Sequence, residues 1–340
     1  MNNLKKLGLS ALAGSLVAIS ANAAELTVTG SVEVTYVDTD GTHGNELTGN
    51  SFGAKSDMTF AGSGDVGFGT VTMNRALSDT GAITTSYQTL DMGDLGILSF
   101  DSKAGALVGI KANDDLMPTA YEEMWTGVSS SGISGVGSTN VIGYQNTFMG
   151  VSISAGYQNG VGGSQQGESG SAGTKDDTTL ASQANGHGSI TDIYLSMAVY
   201  DGLTVGVGVA ENSSTNTSNA LNTDSKEAIM NAVYSTGPVS VGYRLGQNNS
   251  GTAATASVDI EAVSVAFNVN DNFAISYGMQ EKKQTGIGAV VATTEEVDGI
   301  SAAYTMGAAS IRVNHSKSQN DGFEQGVDDE TTEVSLALSF

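Results

Sequence analysis

Residues 25–36 alternate between polar and apolar side chains and read Glu25-Leu26-Thr27-Val28-Thr29-Gly30-Ser31-Val32-Glu33-Val34-Thr35-Tyr36. Successive side chains of an extended strand point to opposite faces. The Leu, Val and Tyr residues therefore share one face, and the Glu, Thr and Ser residues share the other. This period of two predicts a β-strand with one apolar and one polar side.

The same alternation returns along the rest of the chain, for example at 151–158, 193–199 and 333–340. It predicts sixteen strands, an even number, as single-chain bacterial barrels require. Their approximate ranges are 24–37, 50–61, 67–77, 82–92, 95–102, 139–145, 150–158, 190–200, 203–211, 226–236, 239–247, 257–269, 273–281, 295–306, 309–317 and 329–340. A barrel of this size encloses a channel too wide for apolar faces to meet across it. The apolar faces must then face lipid, and the polar faces must line water.

The connections between the predicted strands alternate in length. Short links such as Gly93-Asp94 and Asp201-Gly202 alternate with long polar ones such as 103–138 and 159–189. Short periplasmic turns and long extracellular loops are typical of a transmembrane antiparallel β-barrel. A secreted β-sandwich has no need of this asymmetry. We therefore predict an all-β transmembrane barrel.

Composition excludes several other classes of protein. The chain has 45 Gly, 2 Pro and no Cys, and its 13 Lys and Arg against 36 Asp and Glu give a net charge of −23. Rare Pro suits long hydrogen-bonded ladders, and the lack of Cys excludes disulfides and thiolate metal sites. A chain without a basic footprint is not expected to bind nucleic acid.

The N-terminus has the pattern of a secretory signal peptide. Lys5 and Lys6 precede an apolar run at 7–19 that is too short to span a bilayer. Ala21-Asn22-Ala23 forms a small-x-small cleavage site, so the mature chain is predicted to begin at Ala24. The predicted organisation is a cleaved signal peptide at 1–23 and one barrel domain at 24–340.

The whole mature chain resembles the general bacterial porins, which are sixteen-stranded trimeric barrels. The resemblance rests on the signal peptide, the strand count, the position of one long connection and a last strand that ends on Phe340. It implies a Gram-negative outer-membrane channel for passive diffusion of small hydrophilic solutes and ions. It also implies a homotrimer, contacts with outer-membrane lipid and lipopolysaccharide, and Phe340 as the signal that the barrel-assembly machinery reads. The acidic excess suggests a preference for cations.

The resemblance further implies a constriction, because in this family the third extracellular connection folds into the lumen and faces basic wall residues. Here that connection is 103–138, which lacks the family's Pro-Glu-Phe-Gly-Gly motif, and no strand carries a tight cluster of arginines. The residues carried over are Asp114, Asp115, Glu122 and Glu123 on the acidic loop and Lys55, Lys103, Arg244 and Arg312 on the wall. Strand parity points Lys55, Arg244 and Arg312 inward, since a charge facing mid-bilayer lipid costs about 2–4 kcal/mol. Trp125 is predicted to anchor the loop by packing against the inner wall.

Other interpretations remain open for parts of the sequence. A surface-exposed adhesive β-protein would suit the Gly-, Ser- and Thr-rich loops, and a substrate-specific channel would share the barrel. Catalysis is not expected, because neighbours such as His315 and Ser316 face opposite ways on a strand. No cofactor is expected, although Asp176-Asp177 and Asp328-Asp329-Glu330 could hold Ca²⁺ at the cell surface. Solvated loop charge is the alternative for those acidic clusters.

Overall fold

The structure is a computed structural model that describes residues 25–41, 50–103, 107–114, 116–136, 141–158, 187–214, 224–249, 257–285 and 292–340. These residues form sixteen antiparallel strands in one sheet. The strands are β1 Glu25–Gly41, β2 Phe52–Asp65, β3 Thr70–Ser78, β4 Ile83–Asp91, β5 Ile97–Lys103, β6 Val141–Phe148, β7 Val151–Gln158, β8 His187–Tyr200, β9 Leu203–Ser214, β10 Ser225–Thr236, β11 Val239–Asn249, β12 Val258–Asn270, β13 Phe273–Gln284, β14 Thr293–Met306, β15 Ala309–Gln319 and β16 Asp328–Ser339.

The sheet closes on itself. Each strand pairs with its neighbours in sequence, and β1 pairs with β16 from Ser31↔Ser339 to Gly41↔Asp329. At the end of this seam Gly30 and Phe340 exchange two backbone hydrogen bonds of 2.9 Å. Closure leaves no strand edge unpaired. Among the residues described, no helix is long and apolar enough to cross a bilayer.

The predicted all-β barrel of sixteen strands is confirmed, and the differences concern strand ends. β1 continues to Gly41 and β6 continues to Phe148, past the predicted ends at 37 and 145. Backbone ladders do not require apolar side chains, so the strands extend beyond the apolar band. β6 and β7 are joined by a turn at Met149 and Gly150, both with positive φ. The predicted signal peptide lies outside the described residues.

Side-chain parity separates a lipid face from a lumen face, as the sequence predicted. Large apolar residues such as Leu26, Phe52, Val207 and Ile300 are exposed on the outside of the barrel. Lys55, Arg244 and Arg312 all lie on the inward parity of their strands, opposite to exposed neighbours such as Tyr243, Leu245, Ile311 and Val313. All three side chains therefore point toward the lumen.

The hydrophobic core lies inside the barrel, against one side of its wall. We call the described residues between β5 and β6, which are 107–114 and 116–136, the inner loop. Ile110 and Ile133 of this loop pack against Tyr194 of β8 and Ile229 of β10 in one buried cluster, together with Ile260 of β12. A second cluster joins Met117, Met124, Trp125 and Val128 of the loop to Ala262 of β12 and Val297 of β14. The loop thus covers the inner wall instead of extending away from the barrel.

Candidate constriction site

Two wall carboxylates hold the two ends of the inner loop. Asp192 of β8 accepts hydrogen bonds from the backbone N–H groups of Ile110 and Val136, each at 3.1 Å. Glu227 of β10 accepts from the backbone N–H groups of Ser134 and Gly135 at 2.9 and 2.8 Å. At Ile110, Gly135 and Val136 these carboxylates satisfy loop donors that would otherwise be buried without partners. They bring the departing and the returning segments of the loop to the same part of the wall.

Arg244 of β11 holds the middle of the loop. Its fully buried guanidinium donates to the backbone carbonyl oxygens of Asp114 and Ser131 and to the side-chain oxygen of Gln280 on β13. The same group lies over the ring of Trp125. A planar guanidinium with several donors can bind carbonyl groups and stack on an aromatic ring at once, which a lysine cannot do.

A buried ion pair follows on β13 and β14. Lys282 Nζ lies 2.8 Å from Glu295 Oε1, with both side chains less than a tenth exposed. The hydroxyl of Ser129 in the loop accepts from Lys282 at 2.6 Å and donates to Glu295. The Lys282 ammonium also lies 5.7 Å from the ring centroid of Phe323, which belongs to the connection before β16. Loop and wall therefore share one charged hydrogen-bond network.

The loop approaches the wall closely where the wall residues are glycines. A Cβ at Gly299 of β14 would lie 2.7 Å from the Cα of Met124, which is backbone and cannot swing aside. A Cβ at Gly242 of β11 would meet the ring of Pro118. These glycines make room for the loop backbone against the sheet.

Tyr121 attaches the inner loop to β15 and β16. The Tyr121 hydroxyl donates to Glu333 Oε1 at 2.6 Å, and the Arg312 guanidinium lies 4.4 Å from the ring centroid. Burial raises the pKa of the Tyr121 phenol above its usual value, and the hydrogen bond to Glu333 raises it by a smaller amount. The phenol is accordingly neutral at ordinary pH and acts as a donor.

The wall beside Tyr121 carries charges of both signs. Glu33 of β1 lies between Lys55 of β2 and Arg312 of β15. Lys55 Nζ is 2.9 Å from Glu33 Oε2, and Arg312 and Ser335 both donate to Glu33 Oε1. Lys55 is the more open of the two cations, because 64% of its side chain is exposed against 24% for Arg312.

The predicted acidic residues occupy different environments. The Asp114 carboxylate is 1% exposed, and it accepts hydrogen bonds from Lys111 Nζ at 2.9 Å and from Ser131. Asp114 therefore lies buried among the contacts that hold the inner loop. The sequence suggested that it faces the open lumen, and it does not. Glu122 and Glu123 are only partly buried, and Glu122 Oε2 accepts from the Thr126 hydroxyl at 3.3 Å. Asp115 lies outside the described residues.

On the wall, Arg244 is likewise buried under the loop. Arg312 lies beside Tyr121 of the loop, and Lys55 lies next to Arg312 through their shared partner Glu33. The side chain of Lys103 is outside the described part of the chain. Trp125 is buried against the wall, which confirms the predicted packing anchor.

Sequence reasoning did not identify the carboxylates that hold the loop or balance the wall. Asp192 and Glu33 fall on the polar face of their strands, so parity alone would have marked them as inward carboxylates. Glu227 and Glu295 lie on strands that carry charged residues on both faces, so the sequence pattern does not distinguish them. In the described ranges, no group of three or more His, Asp or Glu could hold a metal ion. Asp176-Asp177 lies outside those ranges, so Ca²⁺ binding there stays a prediction.

Comparison with known proteins gives a family and several structural relatives. The sequence model of the family described as Gram-negative porin matches residues 8–340. Salmonella typhi OmpF, solved in complex with daunomycin, aligns with a TM-score of 0.66 at 13% identity, over 94% of this chain and 99% of that chain. A loop L8 deletion mutant of OmpT, an outer membrane protein of Vibrio cholerae, gives 0.66 at 13% identity, over 94% and 100%. An anion-selective porin from Comamonas acidovorans gives 0.61 at 14% identity, over 94% and 100%. No curated protein matches the chain significantly in sequence.

Proposed function

The chain belongs to the Gram-negative porins, and from that premise we propose that it is a cation-preferring channel for passive diffusion of small hydrophilic solutes and ions. Family and fold identify an outer-membrane porin channel and point away from an enzyme. The proposal adds the cation preference and the constriction. Transport then consists of sieving by size and electrostatic selection, and no bond is made or broken.

The observation that carries the proposed constriction is the anchorage of the inner loop along the lumen wall. Wall groups from Ser154 of β7 to Thr331 of β16 bind it, the first by accepting from the backbone N–H of Gly109 at 2.9 Å and the last by donating to the carbonyl of Gly127 at 3.2 Å. A loop held across so many strands reduces the cross-section that remains for solutes. Glu122 and Glu123 then form the acidic border of the narrowed pore, with Lys55 and Arg312 on the wall.

We also keep Asp115 in the proposed acidic border and Lys103 in the proposed basic wall, on the basis of their positions in the sequence alone. Asp114 and Arg244 act at the constriction by holding the loop in place, since both are buried.

The proposed preference for cations follows from the charges that line the lumen. Among the described side chains that point inward from the strands, carboxylates such as Glu33, Asp57, Asp101, Asp192, Glu227, Glu295, Asp329 and Glu333 outnumber the bases Lys55, Arg244, Lys282 and Arg312. A similar fold does not establish a similar ion selectivity, since the Comamonas acidovorans relative is described as anion-selective. Ions that pass through the pore come closer to these charges than the screening length of about 8 Å at physiological salt, so the charges still act on them.

The test is the reversal potential of the purified channel in a planar bilayer under a KCl gradient. We expect the wild-type protein to prefer K⁺ and the double variant Glu122→Gln/Glu123→Gln to prefer it less. The matched control is Glu281→Gln/Glu296→Gln, which removes two carboxylates from the outward face of β13 and β14. Equal reversal potentials for all three proteins would remove Glu122 and Glu123 from the constriction. A wild-type preference for Cl⁻ would contradict the proposed selectivity.

We also propose the homotrimer, the contacts with lipopolysaccharide and cleavage before Ala24. Intact mass of protein extracted from outer membranes tests the cleavage, and a chain that retains Met1 would contradict it. Cross-linking in intact outer membranes tests the trimer, for which we expect a band at three times the mass of one chain.

A further inference from the structure

A cluster of charges of both signs lies on the lumen wall where β1, β2, β15 and β16 meet. The cluster consists of Glu33, Lys55, Arg312, Glu333 and the docked Tyr121. Lys55 and Arg312 contribute two positive charges, Glu33 and Glu333 contribute two negative ones, and Asp57 of β2 adds a negative charge near Lys55. The sequence pointed to a basic wall at this place, but carboxylates lie beside both of its cations.

Glu33 is the central member of this cluster. It is the carboxylate that contacts both cations, through Oε2 to Lys55 at 2.9 Å and through Oε1 to Arg312. Ser335 donates to the same Oε1, and only 10% of the Glu33 side chain is exposed. Glu33 is therefore fixed in place beside the mostly exposed side chain of Lys55.

We propose that Glu33 is a selectivity-determining residue of the channel. By pairing with both Lys55 and Arg312 it lowers the positive potential of the lumen wall, so that the acidic border of the inner loop sets the sign of the field. The proposal rests on the proposed cation-preferring channel, but it makes a separate statement about one wall residue. Without Glu33, Lys55 and Arg312 would lose the carboxylate that contacts both of them, and the wall would become less acidic.

The test replaces Glu33→Gln, which keeps the shape of the side chain and an oxygen that can accept from Ser335. We expect the K⁺ to Cl⁻ permeability ratio to fall about threefold, as for the loss of one unit charge several ångströms from ions in water. The control is Glu211→Gln, which breaks an exposed pair with Lys226 on the outside of the barrel and should leave the ratio unchanged. A folded Glu33→Gln channel with the wild-type ratio would overturn the inference.

A mutant cycle with Lys55→Gln shows whether Glu33 acts through its cation partners. Because the fields of fixed charges add, Lys55→Gln should raise the permeability ratio in the Glu33→Gln background as well, and the double variant should return close to the wild-type ratio. A double variant whose ratio stays as low as that of Glu33→Gln alone would overturn the inference. If Glu33→Gln fails to fold, Lys55→Gln alone carries the test, because it leaves Glu33 facing only Arg312 and should raise the ratio; an unchanged ratio would overturn the inference.

The two proposals fail in different ways. If the wild-type channel does not prefer cations, the proposed function fails, but Glu33→Gln must still shift the ratio toward anions. If the wild type prefers cations and Glu33→Gln changes nothing, the proposed function stands and the role of Glu33 does not.

Discussion

The guanidinium carbon of Arg244 lies 4.9 Å from the centroid of the Trp125 ring. Arg244 belongs to the wall and Trp125, the only tryptophan of the chain, belongs to the inner loop. Both side chains are buried, so water does not compete for the contact. A desolvated cation–π contact contributes about 2 kcal/mol. Together with the bonds to Asp114 and Ser131, it fixes the loop at the middle of its path across the wall.

The first prediction concerns this anchor. Arg244→Met keeps a long side chain but removes every donor, so the buried carbonyl oxygens of Asp114 and Ser131 lose their partner. Each hydrogen bond to a charged group contributes about 1.5–3 kcal/mol. We expect the barrel to unfold at a lower temperature, as measured by the heat-induced change in its gel mobility. We also expect a noisier single-channel current, because the loop becomes mobile. Lys226→Met, which removes an exposed cation outside the barrel, is the control and should preserve a quiet current. A quiet Arg244→Met channel of wild-type stability would show that the loop does not depend on Arg244.

The second prediction concerns the close approach of loop and sheet. Gly299→Val places a branched side chain where the Met124 backbone lies, so the loop has to move away from the wall into the lumen. We expect the single-channel conductance to fall by about a third or more, as pore size governs passive flux. The control is Gly64→Val on β2, where a Cβ meets nothing within 4 Å. Unchanged conductance in Gly299→Val would mean that the displaced loop does not narrow the pore.

The third prediction concerns the buried pair Lys282–Glu295. Replacing either residue alone with Met leaves the other charge buried without its partner, which costs about 3–5 kcal/mol. Replacing both with Met removes the two charges together and should cost less than either single change. The measurement is the heat-induced gel shift of the two single variants and the double variant. A double variant that is less stable than both single variants would contradict this account of the pair.

How far the sequence could predict the molecule depends on the range of the interactions involved. The period of two identified all sixteen strands and the inward parity of Arg244 and Arg312, because both follow from the geometry of a single strand. The position of the inner loop after β5 also agrees with the family resemblance. Strand ends were less accurate, since backbone ladders continue where the apolar alternation stops.

The partners of the inward charges could not be predicted, because barrel closure brings together residues that are distant in sequence. Glu33 and Arg312 are 279 residues apart, and Asp192 binds a loop residue 82 positions away. Nothing in the local pattern around Glu33 distinguishes it from other inward carboxylates. The burial of Asp114 is the exception, because Lys111 lies only three residues earlier and pairs with it.

The fourth prediction concerns Phe340, which we propose as the assembly signal. Its backbone closes the seam with Gly30 through two hydrogen bonds, and its ring lies over Gly30, where a Cβ would be 2.6 Å from the ring. The ring itself is largely exposed on the lipid side, so it contributes little to packing within the barrel. Phe340→Ala keeps the backbone bonds and removes the ring. We therefore expect low outer-membrane yield in cells, but refolding from urea into detergent with the wild-type yield.

The two readouts for Phe340 separate recognition from stability. Deleting Phe340 also removes the backbone bonds to Gly30, so it should lower the yield in cells and weaken refolding in detergent as well. The control is Phe52→Ala, which removes an exposed aromatic ring from the outer face while leaving the terminal residue intact. If Phe340→Ala and Phe52→Ala assemble equally well in cells, the terminal ring is not read as a signal. If Phe340→Ala instead fails in both settings, the ring acts by closing the barrel and the assembly-signal proposal is wrong.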